Sequence, residues 1–520
     1  MPDLLARHAA APTAGRRFVP ALVYAALSAA IISSLGLLLV PTLAQSFGVS
    51  VSTAQWTLTV NLLVGAVATP VLGRLSDGPH KKRILLTTLA IILVGSVLAA
   101  TAQTFSVLLV GRALQGLSYA ITPMTIALAR RYSPPEKVQP AIASLSVTVA
   151  TGIGLGYPLT GIIADSLAWQ YAFWFAAAFV VSAIVVVAVA VPRGPDTQGL
   201  RSPFDTPGAL LLGAGLALLL LGISEGPNWG WASVTTLAML AGAAVVLGLW
   251  VWREVSTAHP LIRLDLLRRS DVLLANATAL SIGGSMYIGM SVISLIAQAP
   301  AETGYGVAMP LFWAGFVMFP VSVGSQLASR LARRFAHRIS FTMLLPIGAA
   351  FVTVANLVLL ATHDTVAALL GGMLVFGFGI GTTYAAMPGL IARGVAVQEL
   401  GSAVSFNQVL RTVGGAVGSA VAGAIIATHL AADGRPTPHG IDVNFLVSGV
   451  ACALVFLGLA SHAVLSARRA RRVAESRHPG RHAAAGEVVR EIRAEEPRDA
   501  EEPRDAGQRE LSASGATSGR

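Results

Sequence analysis

The chain is 520 residues long, 54% hydrophobic and 12% charged, with a net charge of +11 and a mean hydropathy of +0.69. Soluble domains carry about 25% charged residues, so half that fraction over such a length excludes a soluble enzyme, a disordered chain and a fibre. The positive charge is no nucleic-acid-binding face either, because Lys and Arg lie between long apolar runs; the class that remains is an all-α polytopic membrane protein.

Runs of about 18 apolar residues suffice to cross a ~30 Å hydrocarbon core. Fourteen are predicted, at 18–45, 54–77, 83–102, 105–130, 139–164, 171–192, 207–224, 234–252, 272–298, 307–331, 340–361, 366–392, 402–428 and 444–467. The first is too long for the apolar core of a secretory signal, and it reads as a span. The single cysteine, Cys452, lies inside the last run and is expected to fill packing space. No Cys/His cluster has ligand spacing, so no metal site is expected.

Loop charges orient the spans, because Lys and Arg accumulate on the cytoplasmic side. With the N-terminus inside, 33 of the 36 basic residues fall inside, one (Arg435) outside, and two (Arg112 and Arg411) within spans. Both termini are therefore expected in the cytoplasm. The segment 73–83 (GRLSDGPHKKR) is echoed 256 residues later by 329–338 (SRLARRFAHR). That offset maps spans one to six onto spans nine to fourteen. It predicts two six-helix halves, a transporter architecture, with spans seven and eight inserted between them. The expected division is an N-terminal arm (1–17), a first half (18–192), the inserted pair (207–252), a second half (272–467) and a charged tail (468–520). The tail mixes charges and repeats Glu495–Ala500 directly as Glu501–Ala506, a composition expected to stay disordered.

Several motifs resemble those of the major facilitator superfamily, and in particular its fourteen-span drug:proton antiporter family. Gly73, Leu75 and Asp77, followed by Lys81, Lys82 and Arg83, resemble the loop motif between spans two and three. Arg112, Gln115 and Gly116 resemble the span-four motif, and Gly152, Gly156, Pro158 and Gly161 the glycine/proline motif of span five. Phe204-Asp205, the stretch Ser224–Trp231, and Arg411 with the residues to Gly415 resemble the central insertion and span thirteen of that family. The resemblance covers about 18–467. It implies a major-facilitator fold, alternating access, a cytoplasmic loop that latches the halves shut, a hinge in span five, and a proton gradient rather than a cofactor as energy source. The departures are His80, Tyr157 and Gln170 at motif positions, Asn61 where an aromatic is usual, and Ile32 where span one usually carries an aspartate.

Arg112 lies about seven residues from the outer edge of span four, roughly 10 Å deep. Arg411 lies near mid-membrane in span thirteen. An arginine at a helix centre costs ~2.5–3.5 kcal/mol on insertion scales, so each is expected to face a cavity or a partner. None of the fifteen acidic residues before the tail lies mid-span; Asp165 and Glu225, at outer edges, come nearest and are the candidate proton carriers. Asn61, Gln115, Tyr119, Tyr157, Asn276, Tyr287, Tyr384, Asn407 and Gln408 are candidate polar lining. For Asn61, glue between helices and substrate contact are equal alternatives. Such a cavity would be net positive, which favours neutral or anionic amphiphiles over hydrophobic cations.

The expected function is efflux of small amphiphilic, drug-like molecules across a bacterial cytoplasmic membrane, coupled to protons, by a monomer whose partners are its substrate and the bilayer. A dedicated exporter of one metabolite, such as a self-made antibiotic or siderophore, is the alternative. A membrane-embedded enzyme would need a buried nucleophile and base or a metal site, and a transport-like sensor would need a signalling domain in the tail.

Overall fold

The computed structural model describes residues 17–477 except 37, 50, 193–204, 259, 263, 265–268, 335–340, 397–399 and 432–434. The N-terminal arm before residue 17 and the tail beyond 477, with its expected disorder, lie outside the described residues. The chain divides into two units, 1–461 and 462–520.

The described residues are helical almost throughout. The first eight helices are α1 (Phe18–Ser34), α2 (Val40–Phe47), α3 (Val51–Asp77), α4 (Lys81–Ala100), α5 (Phe105–Gln115), α6 (Ile121–Tyr132), α7 (Pro135–Ser166) and α8 (Gln170–Ala190), with a 3₁₀ turn at Gly116–Ala120 joining α5 to α6. An inserted hairpin follows, α9 (Thr206–Trp229) and α10 (Val234–Ser256). The rest are α11 (Ser270–Gln298), α12 (Leu311–Phe316), α13 (Phe319–Arg334), α14 (Phe341–Thr362), α15 (Val366–Gly394), α16 (Leu400–Thr428) and α17 (Pro438–Arg477). Local chemistry sets several starts. Thr104, Asp205, Ser233 and Thr365 each accept the N–H three residues on, satisfying a donor the helix leaves unpaired.

Among the described residues, twelve helical segments are long and apolar enough to cross a membrane. Two of the fourteen predicted runs, the first and the tenth, are instead each divided into two shorter helices. In the first, Leu35 leaves the helical region and Gly36 takes φ +100°, a left-handed conformation open to glycine. In the tenth, Pro320 sits in the first turn of α13. Its ring cannot continue a helix from before it, so α12 stops at Phe316. Several expected boundaries also move, among them the C-terminal ends of α10 and α17. Helix α10 runs four residues past the predicted edge at 252, to Ser256, and α17 runs ten past 467, to Arg477. In both places charged residues lower hydropathy without breaking the helix.

The packing of the two halves repeats. In the first, α1 packs on α7, and α4 on α5; in the second, α11 packs on α16, and α14 on α15. The α1–α7 crossing depends on small residues: a Cβ on Gly152 or Gly156 would strike Ala30 or Ser34 of α1. The α11–α16 crossing is built alike, with Gly414 and Gly418 against the carbonyls of Leu280 and Gly284. Such approach lets dispersion hold helices together where no hydrophobic drive exists. The halves meet along two seams, α3 with α16 and α7 with α12, α13 and α15. The inserted hairpin covers the first seam, with α9 touching both α3 and α16. Its outer face carries apolar side chains, Val234 84% and Trp252 69% exposed, which is a surface for lipid.

A side chain at position 418 has no room to relax against the Gly284 carbonyl. Gly418→Val should lower the unfolding temperature in detergent, at a cost of roughly 1–3 kcal/mol; an unchanged melting curve would show that the crossing is looser than described.

Candidate functional site

The two intramembrane arginines have different surroundings. Arg112, on α5, is 1% exposed. Its Nε donates to the Thr57 carbonyl (3.1 Å) and its Nη1 to Gln115 Oε1 (2.7 Å), while Gln115 Nε2 donates to Ser96 Oγ (2.9 Å). Asn61 Nδ2 donates to the Arg112 carbonyl (3.0 Å), and the guanidinium lies 5.9 Å from the Phe173 ring centroid. The break in the first span passes beside it, with a Cβ on Gly36 falling 3.6 Å from Arg112 Cζ. Arg112, Gln115 and Asn61 therefore tie α3, α4 and α5 together inside the first half. Of the two readings of Asn61, the contacts favour glue.

Arg411, on α16, is only partly buried, and its Cζ lies 4.2 Å from the centroid of the Tyr384 ring. The Tyr384 hydroxyl donates to Met286 Sδ (3.4 Å). Tyr287, on α11, meets Tyr119 of the 3₁₀ turn hydroxyl to hydroxyl at 3.5 Å, across the two halves. Tyr157 of α7 and Tyr384 of α15 are among the neighbours of Tyr287, and Ser33 of α1 lies beside Tyr119. Four phenols and one guanidinium thus converge from five elements of both halves. Tyr157 and Tyr384 are buried, whereas Tyr119, Tyr287 and Arg411 stay partly open. The cluster offers ring faces, hydroxyls that donate or accept, and one positive charge. None of the interactions recorded for Arg411 and the four tyrosines involves a carboxylate.

Other candidates lie elsewhere. Asn407 Nδ2 donates to Asn276 Oδ1 (2.9 Å) and to the Ala275 carbonyl (3.1 Å), joining α16 to α11. Gln408 is buried on α16, where its carbonyl accepts from Thr412 Oγ1 (3.0 Å). Glu225 is buried near the end of α9 and accepts from Asn228 Nδ2 (3.1 Å). The side chains of Asp77 and Asp165 lie outside those described. Of the loop cations, Lys82 Nζ donates to the carbonyls of Ala188 (2.8 Å) and Val191 (2.6 Å), capping α8. Lys81 Nζ donates to the Gly78 carbonyl (2.8 Å), and Arg83 is exposed.

The contacts between halves include residues the sequence did not single out. On the side of the basic loops, Gly73 packs against Ser405 and the Gly401 carbonyl of α16. There too Arg130 Nη2 donates to the Val395 carbonyl (3.0 Å), and Ala143 and Val147 of α7 meet Ala385 of α15. Farther along α7, Ser322 Oγ donates to the Thr151 carbonyl and Gln326 Nε2 to Thr151 Oγ1, both at 2.7 Å. Gly315 of α12 sits against Tyr157, Pro158 and Gly161. The span-five motif therefore has two faces: Gly152 and Gly156 serve α1 of the same half, and Tyr157, Pro158 and Gly161 face the other half. The helix is continuous through Pro158. The missed residues carry one faint signal, since Ser322 and Gln326 lie four apart on one face of an otherwise apolar run.

The sequence profile described as Major Facilitator Superfamily matches residues 21–211 and 206–419. An uncharacterised MFS-type transporter of Mycobacterium tuberculosis is 29% identical over 79% of this chain, which spans 59% of that protein's length. Multidrug resistance protein Stp of Mycobacterium tuberculosis is 26% identical over 76% of this chain and 73% of its own. Among solved structures, the human organic anion transporter MFSD10 (TETRAN) superposes with a TM-score of 0.60 at 17% identity, covering 85% of this chain and 99% of that one. That likeness is one of fold.

Thr151 is the polar tie between α7 and α13. Removing both of its partners with Ser322→Ala and Gln326→Leu should weaken that seam by about 0.6 kcal/mol per bond, the average for such bonds in a membrane. Spin labels on α7 and α13 should then show a larger population with the halves apart, and an unchanged distance distribution would deny the tie a part in holding them.

Proposed function

This chain belongs to the major facilitator superfamily, and on that premise we propose that it exports small neutral or anionic amphiphiles, aromatic ones above all, by alternating access driven by the proton gradient. The side of the basic loops is taken as cytoplasmic, following the distribution of Lys and Arg. The conformation described is then one closed toward the cytoplasm, with Gly73 and Arg130 among the closing contacts. The observation that carries the substrate reading is the convergence of Tyr119, Tyr157, Tyr287, Tyr384 and Arg411 where the halves meet. A substrate anion would gain from Arg411, while a substrate cation would meet it unshielded at reduced dielectric. Aromatic substrates would stack on the phenols, whose hydroxyls adapt to donors and acceptors alike. Named relatives such as Stp support efflux as the direction of transport.

Expression in a drug-sensitive host lacking its own efflux pumps tests the reading with two dyes, fluorescein (acidic) and ethidium (cationic). Fluorescein should be kept out of energised cells and enter when a protonophore collapses the gradient. Protection against ethidium alone would refute the substrate class, and extrusion indifferent to the protonophore would refute the coupling. Asp77→Asn should slow fluorescein export severalfold while leaving membrane insertion intact, as a gating role for the loop requires; wild-type rates in that variant would remove the loop from the mechanism.

A further inference from the structure

The inserted hairpin carries buried acid that the sequence placed in loops. Asp205 caps α9: its Oδ1 accepts from Gly208 N (3.1 Å) and from Arg253 Nε (3.1 Å) and Nη2 (2.8 Å). That oxygen is fully engaged by these three donors. One residue beyond Arg253, Glu254 is 4% exposed. Its Oε1 accepts from Ile262 N (2.6 Å), folding the segment after α10 back so that Leu261 and Ile262 bury beside Leu212, Leu216, Trp250 and Val409. The Leu261 N–H also lies beside this carboxylate, but Oε2 makes no well-aligned hydrogen bond, nor do Asp205 Oδ2 and the indole Nε1 of Trp250, which is 5% exposed and lies one helical turn before Glu254 on the same face of α10. Buried polar atoms are nearly always satisfied, so three unsatisfied ones on one hairpin end mark a place for a small polar ligand.

The charged groups around Glu254 decide which ligand. Asp205 acts on it electrostatically from the start of α9, Arg253 is turned to Asp205, and Arg74, at the end of α3, acts on it more weakly with the opposite sign. A metal cation would need more donor oxygens than one free oxygen on each of two carboxylates. A proton needs only Glu254 Oε2, and it relieves the approach of two carboxyl groups. Arg74 directly follows Gly73, the residue packed on Ser405 and Gly401 of α16 where the halves close. A change of charge on Glu254 therefore acts on the helix end that forms this closure.

We propose that Glu254 exchanges a proton with water on the side of the basic loops and that Arg74 of α3 reads its charge, so that the inserted hairpin links protonation to opening and closing of that side. No bond but the carboxyl O–H forms or breaks; the proton goes to, and returns from, water at the membrane face. The idea deepens the proton coupling proposed above and rests on it for its purpose. It also locates a titrating acid in a protein whose first span has Ile32 where an aspartate is usual in the family.

The test uses the full chain in lipid nanodiscs and needs no substrate. Infrared difference spectra across a pH titration should show the carbonyl band of a protonated carboxyl, and the band should move when the protein is made with ¹³C-labelled glutamate. It should vanish in Glu254→Gln, whose amide oxygen still accepts from Ile262 N–H, and return in Glu254→Asp. In Arg74→Gln, the loss of a nearby cation should raise the midpoint of the band. A band insensitive to glutamate labelling, or unchanged in Glu254→Gln, overturns the site, and an unmoved midpoint in Arg74→Gln overturns the reading by α3. If Glu254→Gln does not fold, the labelled wild type and Arg74→Gln decide. Failure to move fluorescein would count against the transport reading alone, because the band is measured without it.

Discussion

Burial of the Arg112 guanidinium without a carboxylate constrains the first half of the molecule more than any other single feature. In water a guanidinium is hydrated on every side; among apolar helices every donor left unmet is costly. The protein answers with neutral acceptors. The Thr57 carbonyl takes up Nε and Gln115, held by Ser96, takes up Nη1, while Nη2 is left without a partner and Phe173 offers a ring. Those contacts need α3 and α4 close to α5, and they need the first span to open where it passes. Gly36 supplies that opening through a conformation other residues adopt rarely. Immediately after Gln115 the chain tightens into the 3₁₀ turn that carries Tyr119 to the junction with the second half. A fixed polar network thus ends in the residue that touches the other half.

Arg411 has the opposite surroundings. It is partly open, stacked on Tyr384 and recorded with no carboxylate partner. Two arginines of equal cost in hydrophobicity thus differ in surroundings: one holds helices together, and the other is the one proposed to meet the substrate. The same division separates Asn61 and Asn407, which bond across helices, from Tyr119, Tyr157, Tyr287 and Tyr384, which gather where the halves meet. It also separates the basic loop, where Lys82 caps α8, from Gly73, whose missing side chain lets the halves touch.

Much of this was legible in the sequence because the membrane simplifies the code. Length and apolarity place the helices, and the echo between 73–83 and 329–338 places the halves, whose packing pattern repeats. The breaks at Gly36 and before Pro320 were hidden because hydropathy does not register backbone conformation. Arg112 and Arg411 looked alike because a span's sequence says how deep a residue lies, not which side of the helix faces a neighbour. Glu254 was read as a loop residue because Arg253 and Glu254 end the apolar run, although the helix continues to Ser256. The glycine/proline motif does not say which of its residues meets which neighbour: Gly152 and Gly156 face α1, while Gly154 and Tyr157 face the other half. Pairings such as Arg130 with the Val395 carbonyl join segments 265 residues apart and leave no trace in spacing.

The division between the two arginines is tested most directly by one paired measurement: thermal unfolding and fluorescein binding of purified Arg112→Gln and Arg411→Gln. Arg112→Gln should unfold at clearly lower temperature, as expected when a buried polar network loses its centre, while any folded fraction binds fluorescein close to the wild-type affinity. Arg411→Gln should keep the wild-type unfolding temperature and bind fluorescein about tenfold or more weakly, the scale of one charge-assisted contact. The reverse pattern, or two variants that behave alike, would contradict the assignment of Arg112 to the fold and of Arg411 to the substrate.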